Sequence, residues 1–268
     1  MNFEFIMGRY VPTDSILHRV DARIKLFYTI AGIIVLFMLN SWESIALYTV
    51  FVLGMIALSK MGMTLAVKTI KSIWILILLV FIFQMFDSTG RIIIDLGFIK
   101  LTEEGLLQSA KVSVRLILLI WFSTVFTATT SPLKIADSVE SILKFFRVKA
   151  QYAHEISMIM SIAIRFIPVI SLEANQIIKA QKSRGARFDN GNIINRIKAF
   201  FPIIIPLLVN TFKRADELAL AMDVRCYNGH SGRTKYNEMT AGVSDWITLI
   251  VMAGLFSLFI LADKTLFI

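Results

Sequence analysis

The stretch ISMIMSIAIRFIPVISLEANQIIKAQKSRG, Ile156–Gly185, decides how this chain is organised. Its first part, Ile156–Ala174, is apolar enough to suggest a membrane span, yet Arg165 and Pro168 stand inside it. Its second part is a polar helix that stops at Gly185, and glycine is the preferred residue just past a helix end. Lys182 and Arg184 lie where cations suit the negative end of the helix dipole. As a span, this run would put the connector after it outside, and that connector carries Lys179, Lys182, Arg184, Arg187, Arg196 and Lys198. So many basic residues near a span end oppose that topology. A charge at the bilayer centre also costs about 2.5–3.5 kcal/mol on insertion scales. The stretch therefore reads as a helix at or below the cytoplasmic interface.

A looser copy of the pattern follows. Ala199–Val209, AFFPIIIPLLV, is again apolar and marked by Pro202 and Pro206, and it leads to Ala221–Gly229, AMDVRCYNG. Arg184 and Arg225 are 41 residues apart. Ala180 and Ala221 each stand four residues before their arginine, one turn back on the same face. Arg165 precedes Arg184 by 19 residues, and Pro206 precedes Arg225 by 19. One such end is a capped helix with a basic terminus. Two on one platform suit docking into two grooves of a partner, or of two similar partners, because small residues admit a close surface and Arg grips a carboxylate with two donors.

The rest of the chain supplies a membrane setting. Of its 268 residues 56% are hydrophobic and the mean hydropathy is +0.71, above the roughly 50% apolar content of soluble domains. Five runs read as spans: Leu26–Leu39, Ser44–Ser59, Ile73–Phe86, Val112–Thr130 and Trp246–Ala262. Several fall short of the roughly 20 residues a bilayer needs, so the helices are expected to extend beyond these limits. Segments on one side of these spans hold 23 Lys and Arg and those on the other hold 5. The bias puts the N-terminus and residues 131–243 in the cytoplasm and the C-terminus outside. The net charge of +9 follows from these cytoplasmic segments and needs no nucleic-acid partner. The expected division is an N-terminal segment with four spans (1–130), a cytoplasmic region with the two Arg motifs (131–243) and a last span (244–268). Residues 1–25 lack an apolar core run, which argues against a cleaved secretory signal.

Smaller features fill in this plan. Pro132–Val148 has apolar residues at helical period and reads as an interfacial helix. Asp87–Glu104 has β-rich runs around an Asp95-Leu96-Gly97 turn and reads as a small hairpin. Thr102 then N-caps the next helix, with Glu103 and Glu104 in its first turn. Arg115 either snorkels to headgroups or pairs with Glu104 or Asp87. Arg165 either grips Glu173 or Glu217, or meets an anionic lipid. The three histidines and the single Cys226 have no zinc-ligand spacing.

With these residues in place, the sequence resembles the transmembrane T component of energy-coupling factor (ECF) transporters, bacterial micronutrient importers. The resemblance rests on RFIPVISLEANQIIKAQKSRGARF from Arg165, PLLVNTFKRADELALAMDVRCYNG from Pro206 and GRYVPTDSILHRVDARIKL from Gly8. The family's two Ala-Arg-Gly-type signatures correspond to Ser183-Arg184-Gly185 and Val224-Arg225-Cys226. Ser183 and Val224 replace Ala, Cys226 replaces Gly, and Ala22 stands where Pro is usual. The resemblance implies an all-α integral membrane protein with a cytoplasmic platform of long coupling helices. Two ABC-type ATPases would each receive one Arg-bearing end. A separate membrane S component would bind the vitamin or metal ion. The chain itself would carry no cofactor, the ATP being bound by its partners, and would be a non-catalytic subunit of the bacterial cell membrane.

Rival classes are weaker. An intramembrane enzyme needs clustered His, Asp, Glu or Cys at membrane depth, and the five runs carry none at their centres. A G-x-x-x-x-G-K-[ST] loop is missing, so the chain is not the ATPase. A self-contained secondary transporter should show broken helices in two related halves. A membrane scaffold for other cytoplasmic partners is the alternative that sequence separates least, because docking helices look similar whatever they dock.

Overall fold

The computed structural model describes residues 10–11, 13–86, 92–95, 100–145, 150–186, 193–227 and 242–266. The elements in chain order are α1 (Ile16–Arg19), α2 (Ala22–Met38), α3 (Trp42–Ser59), α4 (Met63–Met85), β1 (Ile92–Asp95) and β2 (Lys100–Thr102). They continue with α5 (Glu103–Thr129), α6 (Pro132–Phe145), α7 (Ala150–Ser183), α8 (Ile193–Val224) and α9 (Val243–Leu266). The chain divides into two compact units. One holds residues 8–135 and 238–268, the other residues 1–7 and 136–237.

Five helices are long and apolar enough to cross a membrane: α3, α4, α5, α9 and the Glu155–Ser183 part of α7. The number matches expectation but the membership does not. α2 covers the expected first run with 17 residues, and the α7 segment joins the set. Pro168 lies inside α7, and Pro202 and Pro206 lie inside α8, without ending either helix. Each apolar run and the polar helix after it are therefore one element of more than 30 residues.

In the first unit α2, α3, α5 and α9 enclose the core. Apolar surfaces gain little by meeting each other in lipid, so packing quality must hold such helices together. Gly32 supplies a close approach: a Cβ there would lie 2.6 Å from a ring carbon of Phe122. The Tyr48 hydroxyl donates to the Gly32 carbonyl at 3.1 Å. Around it Tyr48, Phe51, Phe122, Phe256 and Phe259 form a cluster of tilted and edge-on rings, with Tyr48 and Phe259 centroids 5.4 Å apart. α4 packs on α5, where Trp121 Nε1 donates to the Ala66 carbonyl at 3.2 Å. Much of the rest of α4, from Trp74 to Phe86, is exposed apolar surface.

Polar residues fasten the helix ends of this unit. Lys25 is fully buried and its Nζ donates to the Thr129 carbonyl at 2.8 Å, tying the start of α2 to the end of α5. The two aspartates of α9 hold backbone amides near the two ends of α2. Asp245 accepts from the Asp21 amide at 2.8 Å. Asp263 accepts from the Ser41 amide at 2.8 Å and the Asn40 amide at 3.1 Å. Carbonyls of the same turn are also taken. Arg115 donates to Leu39, and Lys111 to Asn40 at 2.7 Å. Arg115 thus uses a carbonyl in the α2–α3 turn, where sequence offered headgroups, Glu104 or Asp87. Asp87 lies outside the described residues.

β1 and β2 pair antiparallel, with Ile92 opposite Thr102 and Asp95 opposite Lys100, giving the expected hairpin; its 96–99 turn lies outside the described residues. The Thr102 hydroxyl accepts from the Gly105 amide at 3.1 Å, the expected N-cap of α5.

Candidate functional site

The two Arg motifs close α7 and α8 in the same way. At the end of α7 the Ala186 amide donates to Gln181 O at 3.0 Å and the Gly185 amide to Lys182 O at 3.0 Å. At the end of α8 the Tyr227 amide donates to Met222 O at 3.1 Å and the Cys226 amide to Asp223 O at 2.9 Å. Each is the paired six-to-one and five-to-two pattern of a Schellman cap. Gly185 and Cys226 hold the left-handed position, with φ of +88° and +55°. Arg184 and Arg225 are the cap residues just before it.

The cap explains the glycine and the departure from it. Nothing lies within 4 Å of a Cβ built on Gly185, so the backbone, not space within this chain, favours glycine there. Cys226 adopts the same turn with a side chain and stays exposed. Ser183, Arg184, Gly185, Val224, Arg225 and Cys226 are all exposed, as are Ala180 and Ala221. Val224, at 78% exposure, puts an apolar side chain beside Arg225.

α7 and α8 are antiparallel neighbours. The Tyr227 hydroxyl meets Met158 Sδ at 2.8 Å, Asn210 Nδ2 donates to Glu173 Oε1, and Ile178 packs with Ile203. Late residues of one helix therefore face early residues of the other. Arg184 and Arg225 each lie eleven residues beyond the Glu173–Arg214 ion pair. At 1.5 Å per residue in opposite directions, the two ends stand about 33 Å apart along the helices. Two apolar clefts open between α7 and α8, of about 260 and 380 Å³. Ile162, Phe166 and Leu218 line the smaller, and Ile167, Ile203 and Leu207 the larger.

Arg165 is exposed and has no ion pair or hydrogen bond among the described residues, while Glu173 meets Asn210 and Arg214 of α8. Pro168 and Pro206 lie within continuous helix and mark no element boundary. Among the described residues no group of three or more His, Cys, Asp or Glu could hold a metal ion.

A sequence so built has close relatives. Residues 13–236 match the family model for CbiQ, described as cobalt transport protein. The energy-coupling factor transporter transmembrane protein EcfT of Acidaminococcus fermentans is 41% identical over 255 residues, 95% of each chain. The EcfT protein of Streptococcus thermophilus is 41% identical over 253 residues, 94% of this chain and 96% of that one. The Listeria innocua protein of the same name is 38% identical over 253 residues, again 94% and 96%. The chain belongs to the CbiQ/EcfT family, the multi-pass transmembrane component of energy-coupling factor transporters.

Proposed function

We propose that this chain couples two cytoplasmic ABC-type ATPases to a separate membrane S component that binds a vitamin or transition-metal ion. One observation carries the reading: two caps of the same hydrogen-bond pattern present Arg184 and Arg225 in solvent at the far ends of one antiparallel helix pair. Each cap offers a bidentate donor beside small or apolar side chains, which suits a groove with a carboxylate at its base. ATP-driven closure of the ATPases would bring the two grooves together and pull on both ends. α7 and α8 would pass that motion to the S component, and their apolar clefts and lipid-facing neighbours offer it a surface. The chain acts as a non-catalytic subunit, and nucleotide is held by its partners. The 23-to-5 distribution of Lys and Arg supports cytoplasmic placement of the N-terminus and of residues 131–243, with the C-terminus outside. In this reading the Glu155–Ser183 helix lies along the cytoplasmic interface, its exposed Arg165 reaching lipid phosphates.

A tagged pull-down in mild detergent tests the proposal, with Arg184→Glu, Arg225→Glu and both changes together. Two ATPases and a small membrane protein should accompany the unaltered chain, and the double change should lose the ATPases while still inserting. Full retention by the double change would refute the docking role of these arginines.

A further inference from the structure

The 41-residue offset that relates Arg184 to Arg225 relates Glu173 to Arg214 as well, and these two touch. Arg214 Nε lies 3.6 Å from Glu173 Oε2, and Asn210 Nδ2 donates to Glu173 Oε1. In an antiparallel pair, residues that correspond to each other can meet only where the twofold axis exchanging the helices passes between them. The clefts obey the same operation. Adding 41 to Ile162 and Phe166 of the smaller cleft gives Ile203 and Leu207 of the larger; subtracting 41 from Ala219 of the smaller gives Ile178 of the larger. α7 and α8 therefore form a pseudo-twofold antiparallel pair with Glu173 and Arg214 at its centre. The two capped ends are images of each other through that point.

Polar contacts at this centre have a mechanical meaning. Most of the facing surface is apolar, and apolar faces alone permit one helix to slip past the other. A directional polar group on such a surface fixes register. We propose that Glu173, Asn210 and Arg214 are the pivot of the helix pair: positioning residues that fix the register of α7 on α8, so that displacement of one capped end is delivered to the other. The coupling part of this proposal rests on the proposed function, whereas the pivot itself is a property of this chain alone. Glu173 is suited to the task because its side chain is only 15% exposed, while Arg214, at 44%, can follow it from the helix surface.

The experiment has two arms. In the first, the full-length chain in detergent carries Cys226→Ser and spin labels at Lys179→Cys and Leu220→Cys, an exposed pair related by the same offset. The label-to-label distance should be single and narrow. Glu173→Gln, which keeps the side-chain shape, should broaden or shift it. The exchange Glu173→Arg with Arg214→Glu should restore it. An unchanged distribution in Glu173→Gln, or a double exchange that folds but does not restore the distance, overturns the pivot. In the second arm the same variants enter the complete complex in proteoliposomes. Glu173→Gln should retain both ATPases yet lower uptake per ATP hydrolysed several-fold. An unaltered ratio overturns the coupling role. Failure of the unaltered chain to hold any ATPase would instead refute the proposed function, and the first arm would still judge the pivot.

Discussion

Gly185 and Cys226 occupy the same place in the same cap, but only one is a glycine, which makes the cap an internal experiment. An L residue in left-handed conformation costs roughly 1–2 kcal/mol. A Cβ on Gly185 meets nothing within 4 Å, so Gly185→Ala adds no collision to that backbone cost. Cys226, at φ +55°, already carries it. Taking about 1 kcal/mol, each substitution should change the cap-opening equilibrium about fivefold, in opposite directions. Two amides report it. The Ala186 amide bonds Gln181 O at 3.0 Å and the Tyr227 amide bonds Met222 O at 3.1 Å. Hydrogen exchange of the full chain in detergent should show the Ala186 amide about fivefold faster in Gly185→Ala. The Tyr227 amide should be slower by a similar factor in Cys226→Gly. Exchange that is unchanged, or that moves the same way in both variants, would refute backbone strain as the reason for glycine at this position. A fold-change far above fivefold would mean that a collision, not conformation, dominates.

Substitutions at Gly32 and Asp263 test the first unit. Gly32→Ala places a Cβ 2.6 and 2.8 Å from Phe122 and 3.0 Å from Phe256, so a ring must move at about 1–3 kcal/mol. Thermal unfolding in detergent should fall on the order of 5 °C, and Phe122→Leu should recover part of the loss. Asp263→Ala strips acceptors from the Ser41 and Asn40 amides and should cost about 1 kcal/mol, less in Asp263→Asn, which keeps an acceptor oxygen. A melting temperature equal to that of the unaltered chain would remove Asp263 from the account of the α2–α3 turn.

Features set by neighbours in sequence were legible in it. Thr102 followed by two acidic residues marks the α5 cap, and Ser-Arg-Gly marks the end of α7. Apolar length gave the membrane class, and the 41-residue echo gave two equivalent ends. Features set by neighbours in space were not. Glu173 and Arg214 carry no local signal for each other, and Arg165 stood nearer in sequence to Glu173. Arg115 finds Leu39, 76 residues away, because a turn leaves carbonyls without helical partners and a cation at the same level can take them. Each proline removes one backbone hydrogen bond without ending its helix, so Pro168 and Pro206 lie inside α7 and α8. Cys226 stands where the family has glycine, and the structure shows the turn formed with its side chain in solvent.

The two capped ends are proposed to touch ATPases. The most direct test is photo-crosslinking from an unnatural side chain at Ser183 or Val224, beside but not replacing the arginines, in cells expressing the whole transporter. Phe212, 69% exposed in the middle of α8, serves as control. An adduct with an ABC-type ATPase is expected from each of the two ends and none from Phe212. ATPases that co-purify with the chain yet give no adduct from either end would contradict it.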